Sequence, residues 1–103
     1  MATNPRLVDE RSEPREEVHF RARAFGPDGR PLNLLVVNIS ARGMMARCDA
    51  EYAVGDRVRV HLPVVGQIQA EVRWSLGGRI GFHLDRMIGL GDYYALLAAV
   101  VKA

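Results

Sequence analysis

The chain is 103 residues long, 49% hydrophobic and 25% charged, which leaves room for one domain with an ordinary core and excludes both wholesale disorder and a membrane bundle. Its formal net charge of +2 is modest, yet 13 of the 14 basic residues are arginine, a bias that suits an anionic, guanine-containing ligand and that codon bias in the source genome would explain equally well. The longest apolar stretch, Tyr93 to Val101, is far short of the ~20 residues of a spanning helix, and no signal-peptide core opens the chain, so a cytoplasmic protein without membrane insertion is expected.

Residues 1–16 hold Asn4-Pro5, Pro14 and scattered charges without an apolar period, which predicts a flexible arm ahead of a folded domain spanning residues 17–103. From Glu17 the pattern alternates, with Val18, Phe20, Ala22 and Ala24 on one face and His19, Arg21 and Arg23 on the other, as in a half-buried strand. Gly26-Pro27-Asp28-Gly29 predicts a reversal into a second strand from Leu32 to Ile39. Ser40 to Gly43 makes another turn before a short strand from Met44 to Cys48 and an irregular connector ending at Gly55-Asp56. Alternation resumes in Arg57 to Leu62 and in Gln67 to Ser75, where Ile68, Ala70, Val72 and Trp74 are expected to point together. Gly77-Gly78 then turns the chain into Arg79 to Leu84, with Ile80, Phe82 and Leu84 inward. After Gly89 the spacing becomes helical, and Leu90, Tyr93, Tyr94, Leu97 and Val101 form the predicted stripe of a C-terminal helix running to Ala103. Six short antiparallel strands favour a barrel or strongly curled sheet, with the helix covering an open end.

Two segments hold polar residues that packing does not require. In Arg11-Ser12-Glu13-Pro14-Arg15, two guanidiniums four residues apart on a proline-containing loop can converge on one phosphate or guanine edge. In Asn38-Ile39-Ser40-Ala41-Arg42-Gly43, strand alternation puts Asn38 and Ser40 on one face and sends Ile39 to the core, while Gly43 permits a positive φ or a close backbone approach. The amide and hydroxyl of this segment could equally satisfy their own turn.

Together the two segments resemble the PilZ domain family, whose signature is RxxxR in an N-terminal loop followed by (D/N)xSxxG. Arg11 and Arg15 match the first motif, and Asn38, Ser40 and Gly43 the second. The Gly-Asp turn before Arg57 and the strands around Val72-Arg73-Trp74 and Arg79-Ile80-Gly81-Phe82 are also similar to that family, so the resemblance covers nearly the whole chain. It implies a six-stranded antiparallel β-barrel with a C-terminal α-helix and a flexible N-terminal arm. It also implies a receptor that binds cyclic di-GMP on the outer face of the barrel, with no other cofactor. By the same resemblance Arg11 and Arg15 clamp phosphates and guanine faces, Asn38 and Ser40 read polar atoms of the ligand, and Gly43 lets the turn approach. Arg42 is a possible additional phosphate contact. Glu10, where some relatives carry a basic residue associated with a stacked ligand dimer, points to one ligand per domain.

No metal or catalytic machinery is expected. His19, His61 and His83 lie outward on three strands without ligand spacing, lone Cys48 is expected as a core thiol, and no nucleophile, base and orienting acid are grouped. Trp74 and Phe82 are expected in the core. The expected function is therefore non-enzymatic: a cyclic di-GMP receptor that changes conformation as its arm folds onto the ligand and signals through an effector protein. The alternative is a ligand-independent protein-interaction module on the same fold. A single-strand nucleic-acid binder is disfavoured by the scarcity of outward aromatics.

Overall fold

Alternating apolar residues become six strands in the computed structural model, which describes residues 15–101. The expectations for residues 1–14, including Glu10 and Arg11, and for the helix end at Lys102 and Ala103 lie outside the described residues. The elements are β1 (Glu16–Phe25), β2 (Pro31–Ile39), β3 (Gly43–Arg47), β4 (Arg57–Leu62), β5 (Gly66–Leu76), β6 (Arg79–Leu84) and α1 (Leu90–Val101). Every neighbouring pair is antiparallel, and the sheet closes on itself in the order β1-β2-β3-β6-β5-β4. The fold is thus the six-stranded antiparallel barrel with one C-terminal helix that the sequence implied.

The turns follow from local chemistry. Gly77 and Gly78 both adopt positive φ, 61° and 81°, the backbone of a tight mirror-image turn whose twist matches the flanking strands. At the first hairpin the Gly29 amide donates to the Gly26 carbonyl at 2.9 Å, and Asp28 accepts from the Arg30 amide at 3.0 Å.

Closure gives the barrel one interior, and each strand lines it with a row of apolar side chains. Ala22 and Ala24 come from β1; Val58, Val60 and Leu62 from β4; Ile68, Ala70 and Val72 from β5; Ile80, Phe82 and Leu84 from β6, all buried. Cys48 is buried and unpaired. In β2 the inward row is Leu34, Val36 and then Ile39, an odd step that breaks strict alternation. A register shift between Val36 and Asn38 in the β2–β3 ladder accounts for it, because one extra residue returns Ile39 to the interior.

A second shift, between Val72 and Trp74 in the β5–β6 ladder, corrects the reading of Trp74. The strand is in phase up to Val72; beyond the bulge Trp74 turns outward and is 42% exposed. Phe82 is buried as expected.

The helix face also differs from the predicted stripe. Tyr93 and Leu96 are buried, with Leu97 and Val100 packed against the core, whereas Leu90 and Tyr94 are exposed. The segment is apolar on nearly every side, so its spacing alone does not select a face; Tyr93, whose hydroxyl has a partner in the barrel, does. No helix among the described residues is long and apolar enough to cross a membrane.

Leu34, fully buried, and Leu76, 79% exposed at the end of β5, give a direct contrast. Leu34→Ala is expected to lower unfolding free energy by about 2–5 kcal/mol, and Leu76→Ala by no more than about 0.5 kcal/mol, as read from urea midpoints.

Candidate functional site

The turn between β2 and β3 is built by Ser40. Its amide donates to the Gly43 carbonyl at 2.8 Å, and its Oγ accepts from the amides of Gly43 at 3.1 Å and Arg42 at 3.3 Å. Ser40 is only 3% exposed, so this hydroxyl is engaged in shaping the turn. Asn38 behaves differently. The β1–β2 register sets Glu17 opposite Asn38, and Arg15, just ahead of β1, donates from Nη1 to Asn38 Oδ1 at 2.8 Å. The second arginine of the first motif and the amide of the second therefore meet directly.

Gly43 is required for close approach. Positive φ occurs at Gly29, Gly55, Gly66, Gly77 and Gly78 and not at Gly43, but a Cβ on Gly43 would lie 2.8 Å from the Phe82 carbonyl oxygen and 3.7 Å from Arg15 Nη2. Gly81 plays the matching part on β6. It pairs with Met45 on one side and Trp74 on the other, and the indole lies so close over it that any Cβ would overlap the ring. A large aromatic covering a bare cross-strand glycine is a known device for holding a ring flat on a sheet.

These residues surround an open cleft of ≈ 600 Å³ on the outer face of β3 and β6. Arg15, Asn38 and Arg42 form one wall, Arg73, Trp74 and His83 contribute from the other strands, and Gly43 and Gly81 keep the floor low. Among the described residues three arginines and no carboxylate line it, which favours an anion, and the exposed indole supplies a surface for a planar ring. Such a volume suits a small organic ligand. Among the described residues no group of three or more His, Cys, Asp or Glu side chains could hold a metal.

The sequence reading thus finds Arg15, Asn38, Ser40, Arg42 and Gly43 together around one cleft, with Arg11 outside the described residues. It missed Arg73, Trp74, Gly81 and His83 as cleft residues. The available signal was the pairing of a lone tryptophan on one strand with a glycine on the next.

The same turn is held from behind by the end of β6 and the chain that follows it. The Tyr93 hydroxyl donates to the Ile39 carbonyl at 3.1 Å, the Ile88 amide to the Ala41 carbonyl at 2.8 Å and the Leu84 amide to the Arg42 carbonyl at 2.7 Å. Three carbonyls of the second motif are therefore tied to residues 84–93, so the cleft wall and the start of α1 form one unit.

Comparison with known proteins agrees with this architecture. The family model of the PilZ domain matches residues 9–100. The chain belongs to the PilZ domain family. This family comprises cyclic di-GMP receptor modules. Similar solved structures include the PilZ domain of CeSA from a cellulose-synthesizing bacterium, at 14% identity and TM-score 0.59 over 86% of this chain and 96% of that one. The PilZ domain of YcgR from Escherichia coli with c-di-GMP is similar at 16% identity and TM-score 0.60, over 87% and 88% of the two chains. The Bacillus subtilis inhibitor of motility MotI/DgrA matches at 21% identity and TM-score 0.56, over 85% of this chain and 47% of that one. At these identities the likeness is one of fold. No curated protein gives a significant match.

Burial raises the Tyr93 phenol above its ordinary pKa, with smaller contributions from the Glu16 carboxylate and Tyr94, opposed by the Arg15 guanidinium. Above about pH 10 the unfolded chain ionises first, so the stability gained from the protonated donor is complete below that pH and falls as pH rises towards the folded value. Tyr93→Phe in this PilZ domain is expected to cost about 1 kcal/mol at neutral pH and to flatten the alkaline decline, leaving the part due to Tyr52, whose pKa burial also raises. Urea midpoints taken at neutral and alkaline pH measure both effects.

Proposed function

We propose that this domain is a non-catalytic receptor for cyclic di-GMP, binding it in the cleft over β3 and β6. The observation that carries the reading is the Arg15 to Asn38 hydrogen bond, which joins the two motif segments at the rim of a cationic cleft. Arg15, with Arg11 from the preceding segment, serves as a fork for phosphate oxygens or for the O6 and N7 edge of guanine. Asn38 orients Arg15 through its carbonyl and keeps its amide NH2 to donate. Ser40 acts through the backbone by fixing the turn, and Gly43 admits the ligand to the sheet. Trp74 offers its face to a guanine, and Arg42 and Arg73 strengthen the positive field.

In this reading residues 1–16 form a ligand-engaging arm and residues 17–103 the barrel domain, and closing the arm over the nucleotide creates the surface that an effector protein reads. The tie between the second motif and α1 supports transmission to the helix.

Isothermal titration with cyclic di-GMP tests the proposal. Saturable binding is expected, weakened about 10- to 100-fold by Arg15→Ala and by Arg11→Ala, in line with losing a charge-assisted contact. Absence of heat with the folded wild-type protein would overturn it and favour a ligand-independent interaction module.

A further inference from the structure

Across the barrel from the cleft, the outer face of β1 and β4 carries arginines that, among the described residues, have no carboxylate at the directly paired positions. In the closed order of strands the β1–β4 seam lies opposite the β3–β6 seam that floors the cleft. Arg23 pairs directly with His61 across this seam, and Phe25 pairs with Arg59. Arg21 lies one outward step further along β1, and Arg21, Arg23, Arg59 and His61 are all exposed.

The register shows what surrounds them. On the β2 side, Arg21 and Arg23 face Leu35 and Asn33; on the β5 side, Arg59 and His61 face Gln69 and Gln67. No carboxylate occupies any of these positions. Two other arginines do reach a carboxylate: Arg57 meets Asp85 at 3.1 Å, and Arg30 meets Asp28 at 3.7 Å. Like charges side by side on a sheet repel. A face that gathers Arg21, Arg23 and Arg59 with no directly paired carboxylate among the described residues is therefore relieved by an incoming anion.

Arg59 is also held ready. Its guanidinium carbon sits 5.2 Å from the centroid of the Phe25 ring, a stack that keeps the planar fork against the sheet. Depressions flank this stack, one lined by Arg23, Pro31 and Leu32 and the other by Arg57 and Arg59.

We infer that the β1–β4 face is a docking surface for an acidic segment of a partner protein, whose carboxylates engage Arg21, Arg23 and Arg59. Charge complementarity selects the partner's chemistry, and size selects its class. Arg21 to Phe25 spans about 13 Å along the strand, and the paired strands β1 and β4 lie about 5 Å apart. That footprint accepts a few carboxylates of a peptide segment and is far below the roughly 600–1,000 Å² that even a small nucleic-acid-binding module buries. Because the face lies opposite the cleft, docking leaves the cleft open. The inference extends the effector proposed above by naming its surface, and it stands independently of what the cleft binds.

The test is fluorescence anisotropy with a labelled oligoglutamate peptide, using an oligothymidylate of equal charge and vesicles containing anionic lipid as comparators. Wild-type protein is expected to bind the peptide more tightly than either comparator and to release it as salt is added. Arg23→Glu/Arg59→Glu is expected to weaken peptide binding by about tenfold or more, and Arg86→Glu, a charge reversal on the loop before α1, by no more than about twofold. Should the reversed pair fail to fold by circular dichroism, Arg23→Gln/Arg59→Gln replaces it with an expected loss of about threefold. Equal binding by wild type and the double variant, an equal loss in Arg86→Glu, stronger binding of oligothymidylate or vesicles, or no peptide binding at all would each overturn the inference. Cyclic di-GMP titrated into the same proteins separates the two readings: its affinity is expected to be the same in wild type and double variant, and its failure to bind wild type would sink the cleft alone.

Discussion

A closed barrel of six strands has a single interior, and every strand must keep its apolar row turned towards it. This constraint governs the rest of the molecule. Where a strand carries a polar or aromatic residue out of phase, the ladder accommodates it with a bulge. The shift between Val36 and Asn38 lets Ile39 point inward while Asn38 stays at the surface, and the shift between Val72 and Trp74 turns the indole out. Both irregularities deliver a side chain to the same cleft, so its walls are by-products of keeping the core apolar.

Close backbone approach supplies the floor. Gly43 and Gly81 lie on paired strands, and each leaves a space that a Cβ would fill. The polar turn above them is stabilised from both sides: Ser40 satisfies its own backbone, and the segment from Leu84 to Tyr93 donates to three of its carbonyls. A site framed by a hydrogen-bonded turn and rigid strands is preorganised, which limits the ordering that a ligand must impose.

Much of this was legible in the sequence, because alternation is a direct image of a half-buried strand. Val58, Val60 and Leu62 against Arg57, Arg59 and His61 left little room for another reading, and the glycine pair at Gly77 and Gly78 announced its turn. The motif residues Asn38, Ser40 and Gly43 were recognisable together, though Ser40 shapes the turn through its backbone contacts. Trp74 was misjudged because a bulge is decided by the neighbouring strand, and the bare Gly81 that receives the ring is seven residues away across a hairpin. The buried side of α1 was misjudged for a related reason. A helix apolar on most sides has no pattern to read, and the choice of Tyr93 and Leu96 over Leu90 and Tyr94 comes from a hydroxyl that finds the Ile39 carbonyl.

The position of the indole has an optical consequence. Trp74 is the chain's single tryptophan, and it stands on the rim of the cleft, half open to solvent, beside Arg73 and His83. Intrinsic emission from this protein therefore arises at one known place and carries no background from other indoles. Any molecule settling on the ring changes its polarity and quenching, so the domain is its own unlabelled reporter of occupancy.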